Sequence, residues 1–150
     1  MSNLYIGPAA IEDVDAIMEV EKTGISHPWT RESIAALISD ENKAAIKAEE
    51  DGKVIGYIGA SFVIDEAEIG NICVMPGSRG QGIGRKLLEA MLSYLRTKEV
   101  ATVFLEVESE NVAAIRLYES FGFTCYNTRR GYYGPGRDAL LYRLPDLNNH

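Results

Sequence analysis

Cysteine is scarce in this chain. Only Cys73 and Cys125 occur in 150 residues, and they form neither a CxxC pair nor a Cys/His cluster with zinc spacing. A disulfide scaffold is therefore excluded, and nothing in the sequence signals a metal site. Both cysteines are expected to be reduced packing residues, the usual fate of a free thiol. Long apolar runs are missing as well. The longest, "VIGYIGASFVI", falls well short of the roughly 20 residues that span a bilayer. The opening "MSNLYIGPAAIEDVDAIM" has acids where a signal peptide is apolar and no basic start, so the expected location is the cytoplasm, with no membrane partner. Positive charge is also in deficit. Lys and Arg total 15 against 22 Asp and Glu, a formal net charge of -7, the wrong sign for a protein held by nucleic-acid phosphates. An acidic surface suits a basic partner and also serves solubility. No repeat, low-complexity tract or linker divides the chain. At 46% hydrophobic, residues 1–150 are expected to form one domain burying roughly 70% of the surface the unfolded chain exposes.

What is present is a sequence whose hydrophobic period changes along its length. After a short strand at "LYI", the segment Ala10 to Lys22 places Ile11, Val14, Ile17 and Met18 at helical spacing with acids at its start. Thr30 is a candidate cap for a second helix carrying Ile34, Leu37 and Ile38. "AAIKAEEDGKVIGYIGASFVI" reads as two strands turning at Asp51-Gly52, and "AEIGNICVM" as a third. Leu87, Leu88, Met91, Leu92 and Leu95 define an amphipathic helix from Gly84 to Lys98. "ATVFLEV" is a strand, "NVAAIRLYESF" a helix stopped at Gly122, and "FTCYNTRRGYYGPGRDALLYRL" a hairpin turning at Gly134-Pro135-Gly136. The order predicts an α/β fold: a mixed sheet, antiparallel first, with a βαβ crossover in the middle.

The stretch "SRGQGIGRKLLEAML", residues 78–92, crowds Gly80, Gly82 and Gly84 against the entrance of that central helix. Glycine costs backbone entropy, so three here need a reason. A strand, a glycine-rich turn and a helix N-terminus together aim backbone N–H groups and the positive end of the macrodipole at one spot, which suits phosphate. The P-loop spacing GxxxxGK[ST] is absent. The dinucleotide spacing GxGxxG fails too, because its third position falls on Arg85 or Leu87. By itself the cluster leaves a phosphate site and a tight turn both open.

The remaining pattern, Arg79-x-x-Gly82-x-Gly84, resembles the acetyl-CoA pyrophosphate loop of the GNAT acetyltransferases. "NICVMP" before the loop, "ATVFLEVESENVAAIRLYESFGF" after it, "RRGYYGPGRDA" near the end and "HPW" at residues 27–29 resemble, in order, the RimI-like ribosomal-protein-alanine N-acetyltransferases of that superfamily. The likeness covers most of the chain and is strongest from about Asp65 onward. It implies acetyl-CoA as co-substrate and a protein N-terminus, that of a ribosomal protein, as acceptor. Carried over position by position, it implies that Ile72, Cys73 and Val74 offer backbone groups to the pantetheine arm. Arg79, Gly80, Gln81, Gly82, Ile83 and Gly84 would wrap the pyrophosphate, and Asn111 would also touch the cofactor. Glu106 falls at the general base and Tyr118 at the general acid. Trp29, Tyr132 and Tyr133 fall in segments bordering the peptide entrance; His27 receives no role.

The residues themselves are compatible with those roles without requiring them. Glu106 interrupts "TVFLEV", an apolar run expected of a strand covered on both faces, where an unpartnered carboxylate is costly; the plainer alternative is a strand-end glutamate reaching solvent. Tyr118 shares a helix with Ile115 and Phe121 and by spacing fits a core aromatic. Its hydroxyl, with a reference pKa near 10, keeps a proton that a thiolate of reference pKa near 8.5 could accept. Deprotonating an α-amine of pKa about 7.8 costs roughly 1 kcal/mol at pH 7, against roughly 4–5 kcal/mol for a lysine near 10.4. One water-linked glutamate suits the first, which favours an N-terminus without excluding lysine. Tyr132 and Tyr133 point to opposite sides if the strand is extended, so at most one would face a peptide. Where the family usually has Glu-Val-Arg, this chain has Glu106-Val107-Glu108, and the two acids share a strand face. Repulsion raising the proton affinity of Glu106 is expected unless solvent screens Glu108. A family member acting on a small amine or a lysine side chain, and an acyl-CoA-binding module without catalysis, remain open on sequence grounds.

Overall fold

Two periods, one of strands and one of helices, sort this chain into layers. The computed structural model describes residues 3–23 and 29–147; His27 and Pro28 lie outside the described residues. Strands β1 (Leu4–Pro8), β2 (Lys43–Glu50), β3 (Lys53–Val63), β4 (Glu66–Val74), β5 (Thr102–Glu108), β6 (Thr124–Gly134) and β7 (Arg137–Leu144) form one sheet in the order β1-β2-β3-β4-β5-β7-β6. Neighbours are antiparallel except β4 and β5, which run parallel. The β2–β3 turn falls at Asp51-Gly52, both with positive φ (51° and 84°), the mirror-image turn whose twist matches a hairpin. The helices are α1 (Val14–Lys22), α2 (Arg31–Ser39), α3 (Ile83–Thr97) and α4 (Val112–Ser120). No helix among the described residues is long and apolar enough to cross a membrane.

The apolar stripe of α3 packs on one sheet face. Leu87, Leu88, Met91, Leu92 and Leu95 are buried there with Val103, Leu105 and Val107 of β5, Tyr118 of α4 and Phe123. On the other face, Val14, Ile17 and Val20 of α1 and Ile34 and Leu37 of α2 meet Ala45, Val54, Tyr57 and Cys73. Thr30 caps α2 as expected: its Oγ1 accepts from the Ser33 amide at 3.1 Å. Leu88 is fully buried within this cluster. Leu88→Ala is therefore expected to destabilise the fold by about 2–5 kcal/mol, read as a lower urea midpoint with unchanged m-value.

Three expectations need correction. Cys125 is exposed rather than packed, its thiol donating to the Asn127 carbonyl at 3.3 Å. The first helix does not run unbroken from Ala10. Residues Ile11–Asp13 form a 3-10 turn, closed by the Asp13 carboxylate accepting from the Ala10 amide at 2.7 Å. The tighter winding rotates Ile11 off the apolar stripe, leaving it 53% exposed. Strand β5 is not covered on both faces either. Val103, Leu105 and Val107 are buried, whereas Thr102, Phe104, Glu106 and Glu108 between them are half-buried. The cause is local topology: β5 pairs antiparallel with β7, and α1 and α2 pack over β2, β3 and β4, so the Glu106 face is only partly covered.

Strands β4 and β5 part company halfway along. Their register runs Glu66 to Thr102, Ala67 to Val103 and Glu68 to Phe104, then stops, although β4 continues to Val74 and β5 to Glu108. Just beyond the last pair, β4 carries a bulge, with Ile69 opposite Ala60 but Ile72 opposite Ile58. An extra residue bends a strand and raises its twist. The result is a wedge through the sheet at the C-terminal ends of two parallel strands, where an α/β sheet accommodates ligands.

Candidate active site

The glycine-rich turn lies at the mouth of this wedge. Gly80 and Gly82 both have φ of +78°, a conformation closed to most side chains, and a Cβ added at either would meet no protein atom within 4 Å. Gly82 occupies the N-cap of α3 and so supplies no capping side chain. Among the described residues, the amides from Gly80 to Arg85 find no backbone acceptor in the surrounding turn. These are the orphan donors of a helix entrance, aligned with the macrodipole. Arg79 donates from Nε to the Val74 carbonyl at 2.9 Å, which fastens the turn to the end of β4. Arg85 donates to Ser120 Oγ at 2.8 Å, tying the same helix entrance to α4. Between them runs a groove of about 480 Å³ whose walls include Ile72, Val74, Arg79, Gly82, Ala114 and Leu117. An extended chain with an anionic end fits such a cradle.

Not every residue singled out in the sequence reaches the groove wall. Gly80, Ile83 and Gly84 do; Cys73, Gln81, Asn111 and Tyr118 are outside its lining. Cys73 turns its thiol to the other sheet face, where Sγ donates to the Val20 carbonyl at 3.4 Å. Burial raises that thiol's pKa above its ordinary value, against a smaller lowering by Arg79, so it is a poor nucleophile. Asn111 accepts from the Ala114 amide through Oδ1 at 3.2 Å and caps α4. Tyr118 follows Leu117 into the interior, is 5% exposed and packs on Phe123 with ring centroids 5.9 Å apart. Burial pushes its hydroxyl up from 10.0 to about 12.

Glu106 and Tyr118 belong to opposite faces of the sheet, because Tyr118 joins the α3-side core with Leu105 and Val107 while Glu106 alternates away from it. On the Glu106 face, Tyr133 Oη donates to Glu106 Oε2 at 2.6 Å. Burial first, and then this carboxylate, raise the Tyr133 pKa well above its ordinary value, so the hydroxyl stays a donor. Tyr132 is 57% exposed, yet its ring meets that of Tyr133 edge to face at 5.1 Å. The simple alternation expected of an extended strand does not apply here. Gly131 has φ of +66°, and the β6–β7 register shifts between Arg129 and Gly134.

The expected repulsion between Glu106 and Glu108 is corrected by a partner distant in sequence. Arg137 of β7 donates from Nε to Glu108 Oε1 and from Nη2 to Oε2, the second at 3.0 Å. This guanidinium holds the Glu108 carboxyl below its ordinary range. The forked pair compensates the acid that stands where the family usually has arginine, so a net negative charge is not added beside Glu106.

Sequence reasoning missed Glu21. It is fully buried and accepts from Tyr57 Oη, from Asn71 Nδ2 at 2.8 Å and from the Trp29 amide at 2.8 Å. A signal was available: Glu21 continues the α1 stripe of Val14, Ile17 and Met18 at helical spacing, and a carboxylate on an apolar stripe needs partners. Trp29 lies on this same face. Its indole rests on Gly70 of β4, where an added Cβ would come within 3.1 and 3.2 Å of two ring atoms.

A bulged strand, an amide-lined groove at a helix entrance and a carboxylate across a sheet wedge together describe an acyl-transferase site. The acetyltransferase (GNAT) family matches residues 12–123, and the chain belongs to that family. It is 38% identical over 136 residues to the [ribosomal protein bS18]-alanine N-acetyltransferase of Escherichia coli strain K12, covering 89% of this chain and 91% of that protein. The crystal structure of the Escherichia coli ribosomal-protein-S18-alanine N-acetyltransferase superposes with a TM-score of 0.87 at 34% identity, over 96% of this chain and 94% of that one. The structure of yncA from Salmonella typhimurium, solved with its cofactor acetyl-CoA, gives 0.82 at 26% identity over 99% and 96% of the two chains.

Proposed function

We propose that this chain transfers the acetyl group of acetyl-CoA to the α-amine of a protein N-terminus, the alanine of ribosomal protein bS18 being the acceptor. The observation that carries this reading is the wedge between β4 and β5. It joins the amide-lined groove on the α3 side to Glu106 on the other, so two substrates approach from opposite faces and meet within the sheet. The similarity to bS18-alanine N-acetyltransferases supports the choice of acceptor.

Acetyl-CoA, when bound, supplies the thioester whose C–S bond breaks as the new C–N bond forms. Arg79 and the amides from Gly80 to Gly84 would hold its diphosphate, and the free edge of Ile72, Cys73 and Val74 would hold its pantetheine arm. Glu106, oriented by Tyr133, takes a proton from the acceptor ammonium, directly or through one water. Tyr118 gives its Oη proton to the departing sulfur and is reprotonated by the second proton that the acylated nitrogen sheds as the amide forms. Two substrates fixed in one wedge need no covalent enzyme intermediate.

The test is incubation with acetyl-CoA and, separately, alanine-initiated peptides, a lysine peptide with a blocked N-terminus and polyamines, with free thiol as the readout. Thiol release with the alanine peptides alone is expected. Release with polyamines alone would overturn the protein acceptor. Gly82→Val tests the cradle. A β-branched residue leaves the left-handed conformation by about 1–2 kcal/mol, which binding must restore. Titration calorimetry is expected to show coenzyme A affinity reduced by about 5- to 30-fold.

A further inference from the structure

Glu21 shares no hydrogen bond with Glu106 and is not part of the groove lining, yet it is the only charged side chain fully buried among the described residues. No lysine or arginine pairs with it among those residues. Its three donors come from three different places. Tyr57 is on β3, Asn71 sits in the bulge of β4, and the third is the backbone amide of Trp29. Burial, with Glu21 beside it, pushes the Tyr57 hydroxyl far above its ordinary pKa, so it remains a donor. One carboxylate thus ties the start of α2's approach to the bulged segment that opens the wedge.

The position of Trp29 is consequently determined from two sides. Glu21 holds its backbone, and the bare backbone of Gly70 receives its indole. The indole walls a cavity of about 220 Å³ with Ser61, Glu68 and Gly70. Glu68 is in register with Phe104, two residues before Glu106 on the same face of β5. We propose that Glu21 is a positioning residue for acceptor recognition, holding Trp29 against the β4 bulge so that its indole forms one wall of the acceptor's path to Glu106. This rests on the reading that the acceptor approaches from the Glu106 face.

Trp29 is the single tryptophan of the chain, so intrinsic fluorescence reports its placement without any need for turnover. Glu21→Ala is expected to red-shift the emission and increase acrylamide quenching. It should raise the KM for an alanine-initiated peptide by about tenfold while kcat and the acetyl-CoA dissociation constant stay within about twofold, the pattern of lost uniform binding. Glu21→Gln keeps an oxygen for the Trp29 amide, and Tyr57 and Asn71 can each turn an acceptor toward its NH₂. It is expected to restore both emission and KM. Gly70→Ala disturbs the indole from beneath with Glu21 intact and is expected to reproduce the Glu21→Ala pattern; it decides the matter if Glu21→Ala does not fold. Unchanged emission and KM in a folded variant would overturn the proposal, as would a parallel loss of acetyl-CoA affinity. Absence of peptide turnover in the unaltered protein would instead overturn the function proposed above, leaving the fluorescence to decide the anchoring.

Discussion

Glu106→Gln is expected to lower kcat for an alanine-initiated peptide by about a hundred- to ten-thousand-fold, the range for removal of a general base, with acetyl-CoA affinity unchanged. The replacement is nearly isosteric. Its amide oxygen still accepts from Tyr133 Oη, which now bonds Glu106 Oε2 at 2.6 Å, so side-chain placement survives and only proton acceptance is lost. Because the groove proposed to hold acetyl-CoA lies on the far side of the wedge, its occupancy should not register the change. The deficit is expected to be largest near pH 7 and to narrow as the pH rises past about 8, where an α-amine of pKa near 7.7–8.0 is already free. A pH-rate series on the two proteins measures this. A Glu106→Gln protein within about threefold of the parent at neutral pH would remove Glu106 from the mechanism.

Tyr118→Phe is expected to reduce kcat by about a hundredfold or more through loss of a positioned proton donor. The ring's packing on Phe123 at 5.9 Å is retained, so thermal stability should fall little. The hydroxyl, pushed up by burial to about 12, is fully protonated at neutral pH and so carries a proton to give when the sulfur departs. It follows that Tyr118 contributes no alkaline limb to the rate below about pH 11, and any limb seen near pH 9 must belong to another group. Retention of kcat by Tyr118→Phe would reduce the residue to a core aromatic, the role its burial alone would suggest.

Much of the fold was legible because the periods that specify it are local. The stripe of Leu87, Leu88, Met91, Leu92 and Leu95 needs only 3.6 residues per turn to declare α3. Asp51-Gly52 declares its hairpin by the positive φ both residues must adopt. Ile11 failed because a 3-10 turn changes the phase at a helix entrance, and Asp13 closes that turn from within. The glycine turn was legible for the same local reason: Gly80 and Gly82 are needed where a left-handed turn meets a helix N-terminus. The rest of the candidate site was less so. Glu106 was flagged as an acid in an apolar strand, but its open face depends on which helices reach β5. Its bond to Tyr133 spans 27 positions, and no periodicity encodes such a distance.

From the linear chain alone came the order and type of the elements, the glycine turn and the family resemblance, because each is carried by residues a few positions apart. Folding in three dimensions decided where β4 and β5 separate, that Arg137 compensates Glu108, and that Glu21 is sealed beneath Trp29. Those outcomes depend on strand register and on side chains brought together across 29 positions in one case and 8 to 50 in the other. Such contacts form only once the core has set the spacing between layers.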